Sequence, residues 1–127
     1  MKSIAIDFDG VIHKYSKGWH DGSIYDETID GWVEAIIRLQ RAGYAVFIFS
    51  TRDPDQIVEW YYRDFLINHP SAFEMQKILG SQVFWNNDKV VGVTGRKLEA
   101  IAYIDDRAVR FEGSWEIIDN LLKGGDQ

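Results

Sequence analysis

Four carboxylates and a hydroxyl stand where apolar runs of the chain stop, and a lysine leads into the last run. Ile4-Ala5-Ile6 runs into Asp7-Phe8-Asp9-Gly10. Tyr44-Ala45-Val46-Phe47-Ile48-Phe49 stops at Ser50-Thr51-Arg52. Ala100-Ile101-Ala102-Tyr103-Ile104 stops at Asp105-Asp106, with Lys97 in the segment leading into it. Each has an ordinary reading when taken alone. Asp-Gly after a strand is commonly a turn, an acidic pair can close a strand, and a lone lysine is a solvated surface charge. If the runs are neighbouring strands, however, four carboxylates meet at one place. Carboxylates a few ångströms apart repel unless a cation sits among them, and carboxylate oxygen is the donor that a hard ion such as Mg²⁺ takes. The spacing is not that of an EF-hand loop, which needs a third oxygen ligand before its glycine and a closing glutamate. Asp7 and Asp9 can turn to one ligand only if the chain bends at once after the strand, and Gly10 supplies that freedom.

The elements that must position these residues follow from periodicity. The run to Phe8 predicts a buried strand at the start of the chain. Residues 11–25 read as a loop or small hairpin. Ile29, Trp32, Val33, Ile36 and Leu39 recur at helical steps and predict a helix from about Asp26 to Ala42, stopped by Gly43. Residues 44–49 predict a central strand buried on both faces. Asp53 has the form of an N-cap, with Pro54 at the first helical position and Gln56 three residues after the cap, and the helix should reach about Asn68, before Pro70. Residues 72–79 suggest a short helix, 83–85 and 90–91 two strand pieces around a turn, 100–104 a buried strand and 109–111 a short edge strand. Ser114 could cap a last helix carrying Trp115, Ile118, Leu121 and Leu122. Alternating strands and helices predict an α/β domain with a largely parallel sheet. The ligand site of such a sheet lies outside the carboxyl ends of its strands, which is where the carboxylates and the hydroxyl fall.

The chain has 127 residues and is 46% hydrophobic. That suits one domain over 1–127 with a real core and argues against disorder. It has no cysteine, which excludes disulfides, thiol nucleophiles and thiolate metal sites. No apolar run reaches the roughly 18–20 residues of a membrane span, so no membrane partner is expected. Asp7 breaks the first apolar run too early for a secretory signal, so the expected location is cytoplasmic. Fourteen Lys and Arg against twenty Asp and Glu give a net charge of −6, which disfavours non-specific nucleic-acid binding.

These residues also carry a family resemblance, over residues 4 to about 122. The chain resembles the haloacid dehalogenase superfamily of phosphohydrolases in four motifs, in the family's order. These are Asp7-Phe8-Asp9-Gly10-Val11 after a strand, Ser50 after a strand, Lys97, and Tyr103-Ile104-Asp105-Asp106. The stretch Lys97 to Ala108 resembles in particular a small phosphatase-like subgroup of bacteria and phages. The resemblance implies a Rossmann-like parallel sheet with helices on both faces. It implies Asp7 as the nucleophile forming an aspartyl phosphate, and Asp9 as general acid and base. Ser50 would bind a phosphoryl oxygen and Lys97 would balance charge. Mg²⁺ would be held by Asp7, Asp105 and the backbone carbonyl of Asp9, with Asp106 acting through water or directly. An aspartate at position 9 implies a phosphatase or, less often, a phosphomutase or other phosphotransferase. A non-catalytic or regulatory binding module on the same fold is the rival outside enzymes. A response-regulator receiver domain is disfavoured, because its acidic pair follows the first strand and here the pair comes last.

Substrate contacts are expected from Gly10, Thr51, Arg52 and Trp19. Trp19 lies in a flap at about 11–25 and could stack on a base or ring, though such aromatics more commonly pack a flap onto its domain. Arg52 could reach a second phosphate, with pairing to a nearby acid the commoner role. Asp9 and Ser50 are 41 positions apart and Ser50 and Lys97 are 47 apart. Neither interval holds a folded cap domain, so the site should be open on one side unless a second subunit of an oligomer covers it. The expected substrate is a phosphorylated small metabolite, nucleotide, nucleic-acid end or protein.

Overall fold

A computed structural model describes residues 2–69, 72–105, 109–110, 115, 118, 119 and 122. The elements are β1 (Ser3–Asp7), α1 (Trp32–Arg41), β2 (Ala45–Phe49), α2 (Pro54–Trp60), β3 (Glu74–Lys77), β4 (Val90–Thr94), β5 (Ala102–Asp105) and β6 (Val109–Arg110). The strands form one sheet in the order β3-β4-β2-β1-β5-β6, with every pairing parallel. This is the expected α/β, Rossmann-like arrangement, without a large cap. No helix among the described residues is long and apolar enough to cross a membrane.

Alternation along the strands divides the core. Ile4, Ile6, Val46, Ile48, Val91, Val93 and Ile104 face α1 and α2, through Trp32, Ile36, Leu39, Ile57 and Trp60. Ala5, Ala45 and Phe47 face the other way, onto Ile78, Trp85 and Leu98. Both described helices therefore pack on one face, and the second face is covered by irregular chain instead of the expected helices. Crossover handedness explains the division. The steps β1 to β2 and β2 to β3 run in one direction across the sheet, and the later steps run back. Right-handed crossovers then place the first two connections on one face and the rest on the other. The β4–β5 connection has only residues 95–101 in which to pass two strands. Three strand spacings are about 14 Å, whereas seven residues coiled as a helix would span only about 10 Å.

Three local expectations are corrected. α1 begins at Trp32, not Asp26, because residues 27–29 pair back on 12–14. Lys14 N–H donates to Glu27 C=O (2.9 Å) and Ile29 N–H to Ile12 C=O (2.7 Å). Residues 74–77 are strand β3, not helix, a short run whose period left both open. Residues 83–85 are not a strand: Val83 and Phe84 are exposed, while Trp85 is buried and donates its indole N–H to Val90 C=O (3.1 Å). β4 and the edge strand β6 lie where strand pieces were expected. The expected cap Ser114 lies outside the described residues.

After α2 the chain stays helical to Asn68, as expected, but widens into a π turn at Tyr61–Phe65 before a 3-10 turn. The wide turn lets two consecutive tyrosines reach edge strand β3. Tyr61 hydroxyl donates to Phe73 C=O. Tyr62 hydroxyl accepts from Met75 N–H (2.9 Å) and donates to Met75 C=O (3.0 Å). Unpaired strand edges recruit other chains, so this pair of bonds blunts the edge. Tyr62→Phe should cost about 1 kcal/mol in urea unfolding and raise concentration-dependent association in sedimentation. Unchanged values of both would show that Tyr62 does not guard the edge.

Candidate active site at the carboxyl edge of the sheet

Because all the strands run the same way, their carboxyl ends share one edge. That edge carries Asp7 on central β1, Ser50 just past β2, Thr94 on β4 and Asp105 on β5. β1 and β5 pair up to Ile6↔Ile104, so Asp7 lies one step further on, beside Asp105. By alternation both project on the face of Ala5 and Tyr103. An Asp7 carboxylate oxygen accepts the Phe8 N–H (2.8 Å). Lys97 is exposed and reaches the same face, with its ammonium over the Tyr103 ring, 5.1 Å from the centroid.

Asp9 is turned elsewhere. Arg52 Nε donates to both of its carboxylate oxygens (3.0 and 2.8 Å), and His13 Nδ1 lies 2.9 Å from one of them. His13 is fully buried. Its Nε2 accepts the Asp26 N–H (3.0 Å), so Nδ1 carries the hydrogen donated to Asp9. Burial pushes the Asp9 carboxyl up, but the bonds from His13 and Arg52 and the guanidinium charge outweigh it, and the carboxyl is held below its ordinary value. Gly10, at φ +84°, turns the chain back just after Asp9, and its N–H donates to His13 C=O (2.7 Å).

The Arg52 side chain is completely buried. Beyond Asp9 it donates through Nη1 to Gly22 C=O (2.7 Å), and Gln56 Nε2 donates to the same carbonyl (2.8 Å). Gln56 is thus drawn away from the capping-box role that its spacing suggested, while Asp53 caps α2 as expected by accepting the Asp55 N–H (3.0 Å). The expected flap is anchored at both ends. Val11, Ile12 and His13 are buried, and Asp26 accepts the Ser16 N–H and hydroxyl (3.0 and 2.5 Å), bonds that help hold its carboxyl down to about 2. Trp19 lies over Arg52, with Cζ 5.0 Å from the ring centroid, yet stays exposed.

Ser50 is buried. Its Oγ accepts the Arg52 N–H (3.1 Å), and its N–H donates to Thr94 C=O (3.1 Å). Thr94, also buried, repeats the device on β4 by accepting the Arg96 N–H (3.0 Å) at Oγ1. Each hydroxyl, accepting there, still has its own hydrogen to donate. Thr51 is exposed. Thr94 and His13 were missed as members of this edge. Thr94 could be found only once 90–94 was known to be a strand beside β2, and the single signal for His13 was its place four residues after Asp9.

Asp106 lies outside the described residues. Among the described residues no three His, Asp or Glu side chains are gathered as a metal-ligand group. A cleft of about 370 Å³, lined by Thr28, Asp30, Trp32 and His69 among others, includes none of the strand-end residues. Comparison of the chain with protein-family models, curated proteins and solved structures returned no match.

A carboxyl held low in the folded protein adds stability that is complete above its unfolded value, near 3.8 for Asp9, and is lost as pH falls through the folded value. Asp9→Asn should therefore cost about 2–3 kcal/mol at neutral pH in urea unfolding. The gap from wild type should close as the pH is taken below about 4. A gap constant with pH would show that the Asp9 charge does not carry the brace.

Proposed function

We propose that the protein is a Mg²⁺-dependent phosphomonoester hydrolase that works through an aspartyl phosphate on Asp7. The observation that carries this reading is Asp7 at the end of the central strand, with Asp105 beside it, the Ser50 hydroxyl on the neighbouring strand end and Lys97 on its face. The Asp7 carboxylate attacks phosphorus, the ester P–O bond breaks, and the leaving oxygen takes a proton. Water then attacks the phosphorus of the acyl phosphate, gives up a proton, and frees inorganic phosphate and Asp7. Ser50 donates to a phosphoryl oxygen, and Lys97 balances its charge. Two adjacent hard carboxylates fit Mg²⁺, which commonly uses one or two with water. Asp7 and Asp105 would hold it together with the carbonyl of Asp9, and Asp106 through water. Bound there, the ion would neutralise the acidic pair and the phosphoryl group.

Asp9 is the strained part of this reading. Its brace favours the carboxylate, the form that takes the water proton, and opposes the acid that protonates the leaving group. That observation favours a second reading, a phosphate-binding module without turnover.

Asp7→Asn should abolish hydrolysis of an aryl phosphate while leaving the fold intact by circular dichroism. Activity within about tenfold of wild type would remove Asp7 from the role. Hydrolysis should stop in excess EDTA and return with Mg²⁺, and Asp105→Ala should raise the Mg²⁺ requirement far more than Asp106→Ala. Full activity in EDTA would end the metal assignment. Absence of turnover in the wild type with Mg²⁺ would favour the binding module.

A further inference from the structure

The turn that carries Trp19 is held by several hydrogen bonds, although the side chain is left 56% exposed. Gly22 N–H donates to Trp19 C=O (2.8 Å) and closes the turn. Gly22 has φ +82°, and a Cβ there would stand 2.9 Å from the indole, so only glycine lets the turn press on the ring. The Gly22 carbonyl is clamped by Arg52 and Gln56, and the Arg52 guanidinium lies 5.0 Å from the indole centroid. An indole that only fastened the flap would be buried by the fastening. This one touches the guanidinium and Gly22 and still leaves more than half of its surface to solvent.

We propose that Trp19 is a stacking platform for a nucleobase, and that the ester cleaved at Asp7 is a nucleotide phosphate. This rests on the hydrolase reading above and names its substrate class. Every base has a π face, and stacking on an aromatic side chain is worth roughly 5- to 150-fold in binding. The guanidinium under Trp19 follows the carboxyl end of β2 and holds Asp9, so the indole stands at the same edge of the sheet as Asp7, and the proposal joins a base on the indole and a phosphate at Asp7 in one nucleotide. The net charge of −6 favours a free nucleotide over a long polyanion.

The test measures kcat/KM for a nucleoside 5′-monophosphate, an oligonucleotide with a 5′-terminal phosphate, and ribose 5-phosphate, with wild type, Trp19→Ala and Trp19→Phe. The alanine variant should lose about tenfold or more on the base-bearing substrates and nothing on ribose 5-phosphate, and the phenylalanine variant should keep most of the rate. A larger wild-type kcat/KM for the monophosphate than for the oligonucleotide identifies the free nucleotide, and the reverse identifies a strand end. Equal losses on ribose 5-phosphate, or no loss at all, would overturn the platform. If the wild type cleaves an aryl phosphate but none of the three, the nucleotide assignment is overturned; if it cleaves no phosphate ester, the hydrolase reading fails and binding decides the platform, by calorimetric titration with the monophosphate and with ribose 5-phosphate. Preference for the monophosphate that disappears in Trp19→Ala sustains it; equal binding, or none, overturns it.

Discussion

A guanidinium taken wholly out of water must find an acceptor for its charge and its fork of donors, because a buried charge left unpaired costs several kcal/mol. Arg52 meets that demand with the Asp9 carboxylate at Nε and the Gly22 carbonyl at Nη1. Much of the carboxyl edge follows from this one requirement. Asp9 is drawn away from Asp7, Gln56 is recruited to share the Gly22 carbonyl, and the outer flap is fixed with Trp19 above the guanidinium. His13 completes the arrangement from beneath, with each ring nitrogen committed to a different partner.

The sheet supplies the frame for that edge. With every strand parallel, each strand delivers its last residue to the same side, and the central position of β1 puts Asp7 between the ends of β2 and β5. The β4–β5 connection is too short for a helix, and the β3–β4 connection contains none. Bulky side chains from irregular chain, Ile78, Trp85 and Leu98, close the core on the second face instead. Lys97 belongs to one of these connections, so its position beside Tyr103 follows from chain length as much as from local preference.

Electrostatics divides the acidic residues into two settings. Asp9 has its counter-charge built in and is held ionised by it. Asp7 and Asp105 end neighbouring strands and project on the face of Ala5 and Tyr103. The net charge of −6 disfavours non-specific nucleic-acid binding.

The sequence by itself determined the α/β class, the strands carrying Asp7, Phe49 and Asp105, the Asp53 cap and the helical span to Asn68. These follow from local apolar runs, period and cap chemistry, which act within a few residues. It also brought the strand ends to one edge, because parallel topology follows from alternating elements. Only the tertiary structure decided which way Asp9 faces, that Arg52 is buried, that Thr94 joins the edge, and that 74–77 is strand. Asp9 and Arg52 are 43 positions apart, and no local pattern records which of several acids a distant arginine will reach. Residues 26–31 were lost to α1 for the same reason, since the pairing of 27–29 with 12–14 outweighs a helical period that continues through them. Local signals carry the elements, and burial between distant elements decides which polar groups must satisfy one another.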